Sequence, residues 1–525
     1  MHAPSSSKPL DPFAAALAAR HEIESRLVVD ARDEGELLGT ILSEVREMCA
    51  THVDSARIDR EGGLGTELLQ RVAERGWFGL TVPEQYGGSA LSLAAATRVV
   101  AELAGANGSL GTCIGLHSGL ALHALLHVAS PEAKSKYLNE VASGRCIAAF
   151  AATEPGAGSD IAAVKTTLVD RGDRLELNGG KCYVTNGGLA GVLTVLAQSP
   201  GLGGARAGHT LVLVDAAAHG VSRSGEENKL GLKGSSTVSV YFDGVTVEPI
   251  HVLGEFSKGL EYAHNALGWG RTFMAAGCLG SARAALAKAV EHAQTREQFG
   301  RPLAKFPLVH EALARARADV LTIESTLRLV CAFGDARVGE LTLPSTLLKL
   351  IASEQAWRVV DTSMQLMGGA GYMEENGIAR SLRDVRITRI FEGANDVLRV
   401  SIAAAALTWA TQSLSDVPLA ASGEFTEEGR LVASELRALG DAINAVRARW
   451  GFRLFSQQAV AAQLADAIAE SFAAFALLLR ASTKEKIPPQ LFQLAIRESL
   501  GRATRARLAA TVERDARVSD IYAAL

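Results

Sequence analysis

Ser381–Ile402 reads SLRDVRITRIFEGANDVLRVSI, and the rest of the chain falls into place around its middle. Arg383-Asp384 come first, then Ile390-Phe391-Glu392-Gly393, then Asn395-Asp396 and Arg399. With Ile390 and Phe391 buried, Glu392 is carried to an apolar site, where desolvation raises a carboxyl pKa towards that of a working base. Gly393 permits a tight turn and the close approach of a ligand to the backbone. The alternative is an exposed glutamate at a helix start, capped by Asn395 or Asp396. This stretch alone leaves both readings open.

Working outward, 525 residues are too many for one core. Apolar residues make up 48% and charged ones 21%, the balance of a soluble, largely helical globular protein. The formal net charge of −4 gives no electrostatic footprint for nucleic acid. Apolar runs break within about ten residues, short of a membrane span; Ser471–Leu479 reads as a buried helix. Six scattered cysteines without a CxxC pair suit a reducing, cytoplasmic setting. Residues 1–29 lack a signal-peptide pattern and read as a flexible arm.

Residues 30–145 carry helical periodicity, as in Glu36–Ala50, where Leu38, Ile41, Leu42, Val45 and Met48 share a face. Thr66–Arg75, Ser92–Leu103, Gly115–Ala129 and Pro131–Ala142 repeat it, with the loop Val82–Gly88 between. His123 and His127 have the spacing of a helical metal pair, but no third ligand suggests itself, so no metal is expected. His117 reads as a pocket or packing residue. From 146 to 254 short runs rich in Val, Ile and Thr alternate with Gly, Asn and Asp turns, predicting an antiparallel barrel or sandwich. Residues 255–414 return to long helices (Gly259–Thr295, Pro307–Gly334, Pro344–Gly368, Asp396–Leu414), the lengths of a four-helix bundle. A polar linker at 415–429 leads to a helical appendage at 430–525. The expected fold is mainly α with a central β domain.

Two loops carry further chemistry. Thr153-Glu154-Pro155-Gly156-Ala157-Gly158-Ser159-Asp160 leaves a predicted strand, so its backbone N–H groups and the Thr153 and Ser159 hydroxyls can cradle a phosphate or the polar edge of a ring. It lacks the third glycine of a dinucleotide fingerprint. Lys181-Cys182-Tyr183-Val184-Thr185-Asn186-Gly187-Gly188 is a strand ending in an Asn-Gly turn, where Tyr183 can lie against a flat ring and Thr185 can hydrogen-bond it. Taken singly, each reads equally as an ordinary turn.

Together and in this order, these segments resemble the acyl-CoA dehydrogenase family from about residue 60 to 405. Val82–Gly88 is similar to its VPEEYGG loop and Thr153–Asp160 to its TEPxAGSD signature. Lys229–Lys233 and Phe242–Val247 are similar to strands of its β domain, and His292–Gly300 to the opening of its bundle. Gln365–Tyr372 and Arg383-Asp384 precede Ile390–Gly393, as in the family. The resemblance implies FAD held between the β domain and the bundle. Phe150, Thr153, Gly158, Ser159, Tyr183, Val184 and Thr185 would contact it within one subunit. Arg296, Phe299, Gln365, Gly368 and Gly369 would reach the FAD of a neighbouring subunit, with Asn395 and Asp396 also on the cofactor side. Ser159, Gly268, Trp269, Gly270, Arg271, Phe391 and Gly393 fall where the acyl-CoA lies.

Glu392 falls at the family's catalytic base. Some members place that glutamate just before the arginine matching Arg271; here that neighbour is Gly270, which leaves Glu392. The implied reaction removes an α-proton while a hydride leaves the β-carbon for the flavin, giving a trans-2-enoyl-CoA from a long-chain fatty acyl-CoA. Electrons pass to an electron-transfer flavoprotein. Ala394 in place of the usual Thr, Pro307 in place of Gln, and Gly268-Trp269-Gly270 depart from the pattern. The appendage, from Gln463–Asp466 to Arg480–Ser482, resembles the extra domain of very-long-chain members, which implies a homodimer with peripheral membrane contact; the alternative is a packing domain without lipid contact. Two other functions stay open on sequence alone: a flavin oxidase or monooxygenase on the same scaffold, and a non-catalytic assembly protein.

Overall fold

Helices Gly35–His52, Thr66–Glu74, Leu93–Ala106 and Pro131–Ala142 form the N-terminal layer. The first buries the expected stripe Leu38, Ile41, Leu42, Val45 and Met48, extended by Cys49. Ser92, Asn107 and Ser130 cap helix N-termini through their side chains. The helix expected over 115–129 starts earlier, at Gly108, and runs to His127 through a π-helical turn at His117–Ala121. The structure, a computed structural model, describes residues 11–19, 26–27, 35–411, 414, 423–483 and 487–511. Most of the expected arm, residues 415–422 of the expected linker and residues 512–525 of the appendage lie outside the described residues.

The β domain is one mixed sheet of eight strands, not a closed barrel or a sandwich. Its strands are β1 (Ile147–Ala151), β2 (Thr167–Asp170), β3 (Leu175–Thr185), β4 (Ala190–Ser199), β5 (Gly208–Asp215), β6 (Val221–Arg223), β7 (Thr237–Val247) and β8 (Val252–Leu253). They run β6-β7-β3-β2-β4-β5-β8, with β1 off this path and paired to β4. The β1–β4 and β2–β4 pairings are parallel, against the antiparallel expectation. Two short predicted runs, 174–177 and 182–185, belong to the single strand β3. Asp243-Gly244 does not end β7 as a turn; Gly244 takes φ 63 inside the strand while Asn178 Oδ1 accepts its N–H.

Three long helices follow: Gly259–Thr295, Pro307–Ala336 and Thr342–Met367. Pro307 opens the second at the first helical position, where its missing N–H is harmless. The first crosses Leu93–Ala106 closely, since a Cβ on Gly280 would sit 2.0 Å from the Ala101 carbonyl oxygen. Asp384 ties the short helix Ile378–Arg386 to the β domain, accepting the Leu232 N–H at 2.5 Å.

The chain divides by packing into one unit over residues 20–395 and a second made of residues 1–19 and 396–525. Helix Asn395–Ala406, expected to complete the bundle, therefore lies almost wholly in the second unit, where Arg399 pairs with Asp466 at 2.8 Å. Thr426–Trp450, Gln458–Ala481 and Pro489–Thr511 complete that unit. Arg507–Glu435 (2.7 Å) and Arg502–Glu470 (2.8 Å) link them. Against the expectation of a flexible arm, Pro12–Ala18 is helical, and fully buried Phe13 meets Trp409, Phe472 and Phe475 edge-on. Among the described residues, three helical segments are long and apolar enough to cross a membrane, contrary to the expectation from run lengths. Their apolar windows are 89%, 61% and 78% buried, so that apolarity serves internal packing.

Phe13→Ala removes a buried ring at this aromatic junction. We expect a loss of about 3–5 kcal/mol for the second unit, read as a lower denaturation midpoint; an unchanged midpoint would show that the arm helix does not dock.

Candidate active site

Glu392 (φ 56) and Gly393 (φ 96) are consecutive residues in left-handed backbone. For glutamate that conformation costs on the order of 1–3 kcal/mol and persists only where its surroundings hold it. Arg271 Nε donates to the Glu392 carbonyl at 3.0 Å, and Lys349 Nζ donates to the Gly393 carbonyl at 2.8 Å. Arg271, itself buried, also donates Nη1 to Thr346 Oγ1 at 2.9 Å. A turn that the sequence allows through Gly393 is therefore fixed by two cations from two bundle helices.

The Glu392 residue as a whole is partly exposed, yet its Oε2 is shut off from solvent and has no hydrogen-bond partner among the described residues. Burial pushes its pKa up to about 7, while the charges of Arg271 and Lys349 pull it down. The burial does not come from Ile390, which is 51% exposed, contrary to expectation. It comes from the first bundle helix and Leu120: a Cβ on Gly270 would lie 2.9 Å from Glu392 Oε2 and 3.3 Å from Leu120. Position 270 and the Glu392 carboxylate thus face the same point.

On the β-domain side, Cys182 N–H donates to the Thr153 carbonyl at 2.9 Å, which joins the Gly-rich loop to the end of β3. The pairing of β3 with β7 shifts register between Lys181 and Val184; within that bulge Tyr183 takes φ 56 and stands 66% exposed. Val184 packs into the sheet core, so only its backbone is free for a ligand. Gly158 and Ser159 are exposed, and Phe150 is half-buried beside Leu116, Leu120 and Ala266. The hydroxyls of Thr153, Ser159 and Thr185 make no hydrogen bond among the described residues. Three free hydroxyls and an exposed aromatic ring on these two segments fit the polar edge of a flat cofactor such as a flavin.

The residues expected to reach a neighbour's cofactor lie at the surface. Glu297–Gln298 and Arg301–Pro302 form a tight hairpin with Phe299 (φ 52) and Gly300 (φ 75) at its tip. Phe299 is 93% exposed, and Arg296, Gln365, Gly368 and Gly369 are exposed as well. Asp396 is exposed, pairing with Arg399 at 3.5 Å. Asn395 is buried: its Oδ1 accepts from Lys349 at 2.6 Å and its Nδ2 donates to Ser353 and Glu354. Its amide has no donor left for a cofactor.

On the substrate side, Gly268, Gly270 and Arg271 are buried in the first bundle helix, and Gly393 is partly exposed. Trp269 packs against His123 and His127, with ring centroids 5.1 and 5.6 Å away. A cavity extends from Phe391 between Gly108–Leu116 and the first bundle helix, lined by Gly111, Gly115, Phe273 and Gly277. His117 serves packing: Ala148 N–H donates to its Nδ1 at 3.0 Å and its ring meets Phe78 edge-on.

Sequence reasoning missed Lys349, Thr346, Leu120 and the pair Glu154–Lys181. Glu154 and Lys181 are buried and 2.8 Å apart, and the Glu154 carboxylate also takes the Lys165 and Thr166 N–H groups, which fixes the fold of the Gly-rich loop. Lysines inside apolar helical stretches, as in Leu347-Leu348-Lys349-Leu350, were the available signal.

The chain matches the acyl-CoA dehydrogenase N-terminal domain over residues 36–145, the middle domain over 149–245 and the C-terminal domain over 257–407. It is 36% identical over 425 residues to the mitochondrial very long-chain specific acyl-CoA dehydrogenase of Bos taurus, an alignment covering 80% of this chain and 64% of that protein. A 3-(aryl)acrylate reductase of Clostridium sporogenes is 34% identical, over 66% of this chain and 91% of that protein. A crystal structure of acyl-CoA dehydrogenase complexed with FAD from Bacillus anthracis superposes with a TM-score of 0.82 at 25% identity, covering 95% of this chain and 94% of that one.

Gly270→Ala places a methyl against Glu392 Oε2 and displaces the carboxylate by a few tenths of an ångström. Because the side chain can yield, we expect folding stability within about 1 kcal/mol of wild type, with turnover reduced roughly tenfold. Unchanged turnover would mean that the carboxylate does not work from this position.

Proposed function

We propose that this chain, which belongs to the acyl-CoA dehydrogenase family, dehydrogenates a long-chain fatty acyl-CoA across its α- and β-carbons to the trans-2-enoyl-CoA. The chain spans about 64% of the length of the bovine relative, so the activity is argued from the site. The single observation that carries it is the solvent-excluded, unpartnered Glu392 Oε2, whose pKa burial raises to about 7.

Thr153, Ser159, Tyr183 and Thr185 would hold FAD, whose ring would supply the acceptor for the β-hydride. The chain's own residues do the rest. Glu392 Oε2 takes the α-proton, and burial brings its basicity nearer to that of the activated thioester. Arg271 and Lys349 keep that carboxylate on its turn through the two backbone carbonyls. The Glu392 N–H is the chain's donor for the negative charge that grows on the thioester oxygen. The acyl chain would lie beside Phe391 and Gly268–Arg271, where the family resemblance places it.

An electron-transfer flavoprotein is the proposed acceptor, on the family resemblance. A homodimer is supported by the exposed Phe299 tip together with exposed Leu308 and Tyr372, which a second copy would cover while completing the cofactor site. For a peripheral membrane contact the second unit offers exposed Phe452 and Phe455 beside Arg449 and Arg453. On that reading F452S/F455S weakens sedimentation with anionic phosphatidylglycerol vesicles; equal sedimentation of both proteins would remove the contact.

The test of function is anaerobic bleaching of bound FAD by a ladder of acyl-CoAs including palmitoyl-CoA. Wild type bleaches, and Glu392→Gln retains FAD without bleaching. The base must be ionised to accept the proton, so the bleaching rate rises with pH through about 7. Well below that midpoint it falls roughly tenfold per pH unit. Wild-type-like bleaching by Glu392→Gln would sink the base assignment, and oxygen consumption during turnover would favour an oxidase.

A further inference from the structure

Lys349 sits in the third bundle helix with its side chain wholly buried, and among the described residues it forms no ion pair. A buried ammonium without a carboxylate partner is costly and calls for a reason. Its Nζ makes two hydrogen bonds, to the Gly393 carbonyl at 2.8 Å and to Asn395 Oδ1 at 2.6 Å. Asn395 passes the contact on, donating Nδ2 to Glu354 at 2.9 Å, and Glu354 pairs with Arg389 at 2.9 Å. The lysine therefore grips the turn on both sides of Ala394 while its countercharge stands one amide away.

We propose that Lys349 is a positioning residue for the base: its ammonium holds the Gly393 carbonyl as Arg271 holds that of Glu392, and its charge keeps the Glu392 carboxylate ionised for proton abstraction. The inference rests on Glu392 being the base. The charged and titratable groups around this turn are Arg271 and Cys278 on the first bundle helix, Lys349 and Glu354 on the third, and Arg389 on the preceding segment. His264, about two turns before Arg271, also feels that arginine. Among the described residues, Arg271 and Lys349 act on Glu392 to favour its charged form. Burial lowers Lys349 itself to about 7, so the two groups titrate as a coupled pair, each holding the other charged.

The test is the pH profile of anaerobic FAD reduction by palmitoyl-CoA in the FAD-loaded enzyme, comparing wild type with K349Q, K349R and N395D. Glutamine keeps an N–H donor, one bond shorter, but carries no charge, so in K349Q the acid limb moves up by about one pH unit. The rate well below the limb falls about tenfold and the high-pH plateau is kept. Arginine stays charged, so K349R has its limb at or below that of wild type. In N395D a carboxylate against Nζ neutralises the lysine and moves the limb up as in K349Q, which carries the test if K349Q fails to retain FAD. A limb that stays put in K349Q, or a lowered plateau without a shift, overturns the proposal in favour of a purely structural lysine. Loss of FAD from both K349Q and N395D does the same. If wild type does not bleach, or E392Q does, the function itself fails rather than the role of Lys349.

Discussion

Two consecutive residues in left-handed backbone carry the base, and each lends its carbonyl to a buried cation. Glu392 in that conformation is unfavourable by itself, and so is each cation without water. Arg271 and Lys349 resolve both problems together: the carbonyls solvate the cations, and the cations fix the turn. Only one further requirement remains, that nothing crowd the carboxylate, and Gly270 meets it. The raised pKa of Glu392 follows from the balance, with burial pushing up and two positive charges pulling down.

The other half of the site uses the same device at a different place. Glu154, inside the Gly-rich loop, and Lys181, on β3, are both buried and pair at 2.8 Å. The Glu154 carboxylate also gathers backbone donors at Lys165 and Thr166, so the loop is shaped from within. That leaves Thr153 and Ser159 free at the surface of the loop beside the bulge that turns Tyr183 outward. Sheet and bundle thus present two rigid faces, one with free hydroxyls and an aromatic ring, the other with an ionisable oxygen.

Much of this was legible in the sequence, and what was not has physical causes. Helix Gly259–Thr295 is legible because no proline interrupts its 37 residues. Glu392 stands out among its sequence neighbours, although Ile390, expected to help bury it, proves to be half exposed. The mixed sheet was read as antiparallel because strand runs do not record their partners, and β1 returns to pair with β4 in parallel. Asp243-Gly244 looked like a hairpin turn but is an interruption within β7. Lys349 was overlooked because its meaning depends on a carbonyl 44 residues further along the chain. Phe13, in a segment that looks like a tail, belongs to a core assembled from the opposite end of the sequence.

The central claim is that the Glu392 carboxyl titrates near neutrality inside the protein. Its ionisation can be followed directly by infrared difference spectroscopy of the carboxyl stretch in the FAD-loaded enzyme across pH, with E392Q subtracted to isolate the band. The account predicts a protonated-carboxyl band that is lost with a midpoint near 7. A midpoint near the ordinary glutamate value, about 4.3, would contradict it.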